Sequence, residues 1–238
     1  VDELDLDAHP GTGVPVGLQE AGMRPWWLDL SGTEPHFMVF GDGESGKTSF
    51  LQAWLTGLVE RTTPADARIV LVDYRRTLLD VVPADHLGGY AASEPAAADL
   101  AAAVAERMTA RQPGADVTTA QLRDRSWWEG PDIYVVVDDY DLVVTSGGNP
   151  LGPLLPFLAQ GRDLGLHLVT ARRVAGASKS MFEPLSARCK ELSPYGLVLS
   201  GEREEGILLG TTRASRQPPG RGTLVSRHHP PTLVQVVA

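Results

Sequence analysis

Apolar residues along the chain follow two alternating patterns. Short runs rich in β-branched and aromatic residues are typical of buried strands, and they are separated by segments whose apolar residues recur at helical spacing. The runs that predict strands are 36–40, 68–73, 133–137 and 166–171, and the segments that predict helices are 49–60, 95–111 and 151–164. Buried strands that alternate with helices form mostly parallel sheets covered by helices on both faces.

Further short strands are predicted towards the two ends of the chain. The early ones are Val14–Leu18 and Trp26–Leu30, and the late ones are 196–199, 222–225 and 232–237. The predicted fold class is therefore α/β, with a mostly parallel central sheet, helices on both faces and extra short strands at the two chain ends. Ligands of such sheets bind where the strands end, so the residues after 36–40 and 133–137 are the first candidates for a site.

The composition is that of a globular domain, because 42% of the 238 residues are hydrophobic and 21% are charged. No run of about 18 apolar residues occurs, so the sequence predicts no membrane-spanning helix. Cys189 has no second cysteine to pair with, which excludes an internal disulfide and a cysteine-based zinc site. We expect residues 1–12 to form an acidic arm or linker and residues 13–238 a single domain. Because the chain begins with valine, we expect it to be a piece of a longer protein.

A glycine-rich segment joins the strand 36–40 to the helix 49–60, and it matches the Walker A pattern GxxxxGKT. Glycines let successive backbone N–H groups approach phosphate oxygens, and the helix N-terminus adds positive potential. Lys47 is expected to reach the β- and γ-phosphates, and the Thr48 hydroxyl to bind Mg²⁺. The alternative is a chance glycine-rich loop. The residues expected to bind nucleotide are Gly41, Asp42, Gly43, Glu44, Ser45, Gly46, Lys47, Thr48 and Ser49.

The strand 133–137 ends in Asp138-Asp139, which matches the Walker B pattern of an apolar strand followed by an acid. Asp138 is expected to help Thr48 hold Mg²⁺. Many such ATPases carry glutamate at the second position to polarise the attacking water. Asp139 is shorter by one methylene, and a small misplacement of a catalytic group costs about 10²-fold in rate. The sequence therefore predicts secure nucleotide binding, and hydrolysis that is slow or needs a partner.

Three arginines are further candidates. Arg162 precedes the strand 166–171 and either reaches the γ-phosphate on a neighbouring subunit or is a solvated helix-end residue. Arg172 and Arg173 follow the same strand and either sense the γ-phosphate or pair with acids. The histidine pair is predicted to be a surface feature rather than a metal site, and the tryptophan pairs to be packing residues unless an exposed pair anchors a peptide. These pairs are His228-His229, Trp26-Trp27 and Trp127-Trp128.

Segments spread over nearly the whole chain together resemble the FtsK/SpoIIIE group of P-loop ATPases. In order, they are GDGESGKT, VVVDDYD, GRDLGLHLVTARR, GLVLSGEREEGILLG and PPGRG. Within that group, VVVDDYD and LSGEREEGILLG resemble the ATPase domains of EccC motors of bacterial type VII secretion, most of all the last domain of their tandem. EccC proteins carry a membrane anchor and several such domains.

The resemblance implies a RecA-like fold that binds ATP and Mg²⁺, with Lys47, Asp138, Asp139 and Arg162 as catalytic residues and Arg162 acting in trans. It also implies two partners: neighbouring ATPase domains or subunits of the same motor, and the C-terminal signal segment of a small helical secreted substrate. By the same resemblance, the domain would be a cytoplasmic part of an inner-membrane-associated secretion complex, and it would meet the membrane only through other parts of the full-length protein.

Three functions remain open at this stage. The domain is an ATPase module that powers protein export, a nucleotide-stabilised receptor for substrate signals that hydrolyses little, or a DNA translocase motor. The net charge of −9 counts against a nucleic-acid partner, and Asp139 favours the receptor. For the receptor we expect an apolar peptide-binding patch separate from the Walker motifs.

Overall fold

The computed structural model describes residues 12–145, 147–180 and 183–236, so the predicted arm lies outside the described residues except for residue 12. The strands are β1 (Val14–Gln19), β2 (Pro25–Leu28), β3 (His36–Phe40), β4 (Ala67–Val72), β5 (Leu87–Ala91), β6 (Asp132–Val137), β7 (Leu166–Arg172), β8 (Gly196–Val198), β9 (Ile207–Leu209), β10 (Thr212–Arg213), β11 (Arg221–Val225) and β12 (Thr232–Val236). The α-helices are α1 (Lys47–Arg61), α2 (Glu94–Ala110), α3 (Thr119–Asp124), α4 (Tyr140–Val143), α5 (Gly161–Leu164), α6 (Ala177–Ser180) and α7 (Pro184–Leu192). Short 3-10 segments cover Ala21–Met23, Gly152–Gln160 and Arg203–Glu205.

Ten strands form one sheet in the order β2-β1-β12-β11-β8-β3-β7-β6-β4-β5. From β8 to β5 neighbouring strands are parallel, whereas β11, β12, β1 and β2 extend the sheet beyond β8 as antiparallel neighbours. Strands from both ends of the described chain therefore meet at one side of the sheet. The predicted α/β class, with a mostly parallel centre and extra strands from the chain ends, is confirmed.

Each face of the sheet carries its own hydrophobic core. On one face α1 buries Phe50, Trp54 and Leu55 together with Phe37 of β3. On the other face α2 and the 3-10 segment 152–160 pack against Met38 and its neighbours. The central strands are thus packed on both faces, and their carboxyl ends set where the loops that follow them begin.

The predicted single helix over 151–164 is wrong. Residues Gly152–Gln160 form a 3-10 segment, and only α5 continues as α-helix. Pro153 and Pro156 are the physical reason, since proline lacks the N–H and its ring clashes with the preceding turn of an α-helix.

Several elements are absent from the sequence prediction. β5 is an edge strand that contains Gly88 and Gly89, which weaken the strand pattern. α3 begins with a capping box between Thr118 and Gln121, a signal that is readable in the sequence. No helix in the described part of the chain is long and apolar enough to cross a lipid bilayer.

His36 is the first residue of β3. Its side chain is 4% exposed and has a polar contact at each ring nitrogen. Its Nε2 lies 2.9 Å from the Leu158 carbonyl oxygen, and the Leu168 N–H donates to its Nδ1 at 3.1 Å. Since Nδ1 accepts, the neutral ring carries its proton on Nε2. A second proton would place two donors face to face, and burial lowers the pKa of His36 from 6.5 to about 4.

The free energy of unfolding is therefore expected to fall by about 2 kcal/mol between pH 7 and pH 5. The unfolded chain binds a proton at His36 below pH 6.5, whereas the folded chain does so only near pH 4. The stabilisation is thus present above pH 6.5 and is lost as the pH falls towards 4. Urea unfolding at a series of pH values measures it. His36→Gln should flatten the dependence and the exposed His228→Gln should not, while a wild-type stability equal at both pH values would contradict it.

Candidate functional site

The glycine-rich loop connects β3 to α1 at the carboxyl edge of the sheet. Gly46 is the N-cap of α1 and has φ of 99°, a left-handed conformation that glycine adopts without strain. A Cβ at Gly46 would also lie 3.1 Å from the Gly220 nitrogen. The second glycine of the Walker A pattern is therefore required both by the turn and by a neighbouring segment.

Backbone hydrogen bonds fix the start of the loop and leave several N–H groups after it free. The Gly41 and Asp42 N–H groups donate to the carbonyls of Arg172 and Ser200 at 3.1 and 2.8 Å. The N–H groups of Gly43, Glu44, Gly46 and Lys47 find no acceptor in the described part of the chain. Unpaired N–H groups at a helix N-terminus suit an anion, so the loop fits a phosphate group.

The Asp42 side chain is a clamp rather than a ligand-facing group. Its Oδ1 accepts from the N–H groups of Val174 and Ala175 at 3.1 and 3.0 Å, and its Oδ2 accepts from Glu202 N–H at 3.3 Å. The carboxylate is thus directed at two other loops, and the Asp42 N–H and carbonyl are bonded to Ser200 and Lys47, so a contact of Asp42 with nucleotide stays a prediction.

Lys47 is 8% exposed, and its Nζ donates to the Asp42 carbonyl at 3.1 Å. The ammonium group is thereby folded over the loop, beside the free N–H groups. A buried lysine needs a partner, and here a single carbonyl oxygen is the partner that the structure gives. Phosphate oxygens would replace this bond with a stronger, charge-assisted one.

Asp138 and Thr48 are brought together as the sequence predicts. The Thr48 hydroxyl donates to Asp138 Oδ2 at 2.8 Å, and Asp139 N–H donates to Asp138 Oδ1 at 2.9 Å. Asp138 is 1% exposed. A buried carboxylate beside a hydroxyl is an all-oxygen donor set, the kind that Mg²⁺ takes next to phosphates, so these residues fit the ion.

Asp139 lies in the left-handed region, with φ of 47° and ψ of 52°. Its Oδ2 pairs with Arg75 Nε at 3.0 Å. Burial raises the pKa of Asp139, and the neighbouring Asp138 raises it further, while Arg75 opposes both. The carboxylate is thus held by a cation from the loop after β4, which sequence reasoning did not find.

Arg162 lies in α5, at the opposite edge of the sheet from the phosphate loop. It precedes β7, whereas the loop follows β3 at the level where Phe40 pairs with Arg172. The length of β7 places the two about 20 Å apart, since a strand rises about 3.3 Å per residue. The exposed Arg162 therefore does not reach the phosphate loop of its own chain.

Arg172, the last residue of β7, and Arg173, which follows it, differ in their surroundings. Arg173 pairs with Asp141, its Nε lying 2.7 Å from Asp141 Oδ2. Arg172 is 6% exposed, and its Nε donates to the Arg173 carbonyl at 3.4 Å. The alternative in which an arginine pairs with an acid is thus observed for Arg173.

The tryptophan and histidine residues of the three pairs mostly contact other parts of the protein. Trp26 is core, and the Trp128 ring covers the Arg111 guanidinium at 3.8 Å while its Nε1 donates to the Asp163 carbonyl. His228 is exposed and contacts Thr33. Within the described ranges, no cluster of three or more histidine, cysteine, aspartate or glutamate side chains is placed to hold a metal ion.

Sequence reasoning missed three residues on the loop after β4: Asp73, Arg75 and Thr77. Arg75 and Thr77 contact the Walker B acids directly, and Asp73 contacts Thr77. The signal available was topological, because β4 and β6 are parallel neighbours and their carboxyl ends must adjoin. A polar run VDYRRT after a buried strand was therefore a candidate for the same site.

Comparisons with known proteins place the chain in a family. The FtsK/SpoIIIE family model matches residues 9–174. Over 98% of its length the chain is 46% identical to the ESX secretion system protein EccC of Thermomonospora curvata and 47% identical to the ESX-4 secretion system protein EccC4 of Mycobacterium tuberculosis. It spans 18% of each of these longer proteins.

A solved structure gives the same result. ATPases 2 and 3 of Thermomonospora curvata EccC, in complex with a signal sequence peptide, match with a TM-score of 0.92 and 46% identity, over 97% of this chain and 41% of that chain. The resemblance to EccC ATPase domains and the RecA-like fold, expected from the motifs, are confirmed.

Proposed function

This chain belongs to the FtsK/SpoIIIE family, and from that premise we propose that it is an ATP- and Mg²⁺-binding domain of a type VII secretion motor. One observation carries the proposal. The Thr48 hydroxyl and the Asp138 carboxylate, 90 residues apart in sequence, meet at 2.8 Å directly behind a loop of unpaired N–H groups. Groups that can bind phosphate and groups that can bind a cation therefore lie at one point.

Each residue would have a distinct task when ATP is bound. Lys47 would exchange the Asp42 carbonyl for the β- and γ-phosphates, and Thr48 and Asp138 would hold Mg²⁺, which neutralises phosphate charge. Free N–H groups of Gly43 and Gly46 would receive phosphate oxygens. Titration of the domain with ATP in Mg²⁺ and in EDTA tests the proposal, since binding that is absent in both, or equal in both, would contradict it.

Weak hydrolysis is the finer part of this proposal. Asp139 is short, is paired with Arg75 and is followed directly by α4. The trans-acting role of Arg162 is supported by its exposure at the far edge of the sheet, where a neighbouring ATPase domain or subunit could receive it. We propose that such neighbours belong to the same motor, in a membrane-associated secretion complex, with a protein rather than a nucleic acid as cargo.

A second role, recognition of a substrate signal, is supported by the peptide bound to the Thermomonospora curvata EccC structure. The groove best suited to an amphipathic segment has a volume of about 360 Å³ and lies between the end of α4 and the start of α7. Its lining is largely apolar and includes Val144, Leu155, Pro184 and Leu185. It is separate from the phosphate loop.

The groove leads to a testable expectation with a matched control. A C-terminal signal peptide should bind the domain with similar affinity with and without ATP. Leu155→Asp should weaken this binding about tenfold or more, because a charge would replace an apolar anchor. Leu122→Asp, on the exposed face of α3, should not. Fluorescence anisotropy measures both affinities, and mutual exclusion of peptide and ATP would refute a separate groove.

A further inference from the structure

Thr77 lies between two buried carboxylates beside the candidate nucleotide site. Its hydroxyl is 3.0 Å from Asp138 Oδ2 and 3.2 Å from Asp73 Oδ1. Both aspartates are 1% exposed. Asp138 Oδ2 therefore has two hydroxyl donors in reach, Thr48 from the phosphate loop and Thr77 from the loop after β4.

Asp73 anchors the loop that carries Thr77. Its Oδ2 accepts from Leu78 N–H at 2.7 Å and from the Tyr90 hydroxyl at 2.9 Å. Burial, followed by the hydrogen bond to Asp73, raises the pKa of Tyr90 to about 12, so Tyr90 remains a donor throughout the physiological range. These bonds fix the backbone next to Thr77 and so place its hydroxyl beside the Asp138 carboxylate.

We propose that Thr77 is a positioning residue for the magnesium site, and that it acts by holding the Asp138 carboxylate in the orientation that meets Thr48. This inference rests on the proposed ATP- and Mg²⁺-binding function. Asp138 Oδ1 is fixed by Asp139 N–H, so the Thr77 bond to Oδ2 completes the restraint on the carboxylate plane. Replacing a group that orients a metal's ligands typically costs about 10- to 100-fold in metal affinity or activity.

Asp73 is a second acceptor within reach of the Thr77 hydroxyl. A hydroxyl has a single proton and donates it to one acceptor at a time. Asp138 Oδ2 lies at 3.0 Å and Asp73 Oδ1 at 3.2 Å from this hydroxyl, so the shorter contact is the one to Asp138. Asp73 thus keeps the hydroxyl beside Asp138.

The test separates this role from a purely structural one. Thr77 is exposed, so Thr77→Val removes no core packing. In a titration of MgCl₂ at fixed ADP, Thr77→Val should weaken Mg²⁺ binding about tenfold, while the affinity for ADP in EDTA should stay within about twofold. Thr77→Ser should restore Mg²⁺ affinity to within about threefold, because serine keeps the hydroxyl. Thermal unfolding without ligand checks that the variants fold.

The possible outcomes are distinct. Unchanged Mg²⁺ affinity in Thr77→Val, equal losses with and without Mg²⁺, or a Thr77→Ser variant that behaves like Thr77→Val would each overturn the positioning role. A wild-type domain that binds neither ADP nor its Mg²⁺ complex would overturn the proposed function, and this inference with it.

Discussion

Lys47→Ala is expected to weaken the binding of Mg-ATP about 100-fold or more. The side chain is buried beside the loop, and its charge would face the β- and γ-phosphates. Two unit charges about 4 Å apart near a protein surface interact by about 4 kcal/mol, and a 100-fold loss in affinity corresponds to about 2.7 kcal/mol. Isothermal titration calorimetry on the purified domain measures the difference.

A matched control removes a cation elsewhere. Arg188→Ala takes away a half-buried arginine of α7 that pairs with Glu191 on the same helix, and it should leave ATP affinity unchanged. An affinity of the Lys47→Ala variant within about twofold of the wild type would show that the glycine-rich loop is not a nucleotide site.

The dilute wild-type domain is expected to turn over ATP at about 0.1 per second or less, about 10²-fold below a typical enzyme. Asp139 is one methylene too short, and its carboxylate pairs with Arg75. The double variant Asp139→Glu/Arg75→Ala should be faster, because it lengthens the acid and releases it. A phosphate-release assay measures both rates.

Two further variants set the limits of that experiment. Arg76→Ala in place of Arg75→Ala controls for the loss of a neighbouring cation, and Arg162→Ala should leave the dilute rate unchanged because Arg162 lies at the far edge of the sheet. Hydrolysis by dilute wild-type protein at about 10 per second would contradict the expectation.

The backbone explains why aspartate stands at position 139. Aspartate and asparagine tolerate the left-handed conformation better than most residues, since their short polar side chains bond locally. Glutamate at this position carries more strain, so Asp139→Glu should also lower stability slightly. Aspartate in place of glutamate at this position is therefore expected to affect the strain of the backbone as well as the rate of hydrolysis.

The sequence predicted those features that local patterns encode. The central strands, α1, α2 and the contact between Thr48 and Asp138 follow from apolar runs and from two motifs with strict spacing. The 3-10 segment 152–160 was misread because its apolar spacing is helical and only the two prolines oppose it. The sequence does not predict β5, because Gly88 and Gly89 interrupt the pattern of a strand.

Tertiary placement accounts for the rest of the site. Arg75 and Thr77 belong to no motif, and they reach Asp139 and Asp138 only because β4 and β6 adjoin in the sheet. Similarly, the spacing of GDGESGKT gave no sign that the Asp42 carboxylate would hold two distant loops. Strand order decides these contacts, and it is not written in any single segment.

The clamp on the glycine-rich loop has a consequence for the order of folding. The loop lies near the beginning of the chain, yet its shape depends on bonds from Asp42 to Glu202 N–H and from Gly220 N–H to the Ser45 carbonyl. Closing contacts across more than 150 residues costs entropy that is recovered late in folding. During synthesis, we therefore expect the loop to take its final form only after residue 220 has left the ribosome. ATP would then select for completed domains, since it stabilises by mass action only a chain whose last strands have already joined the sheet.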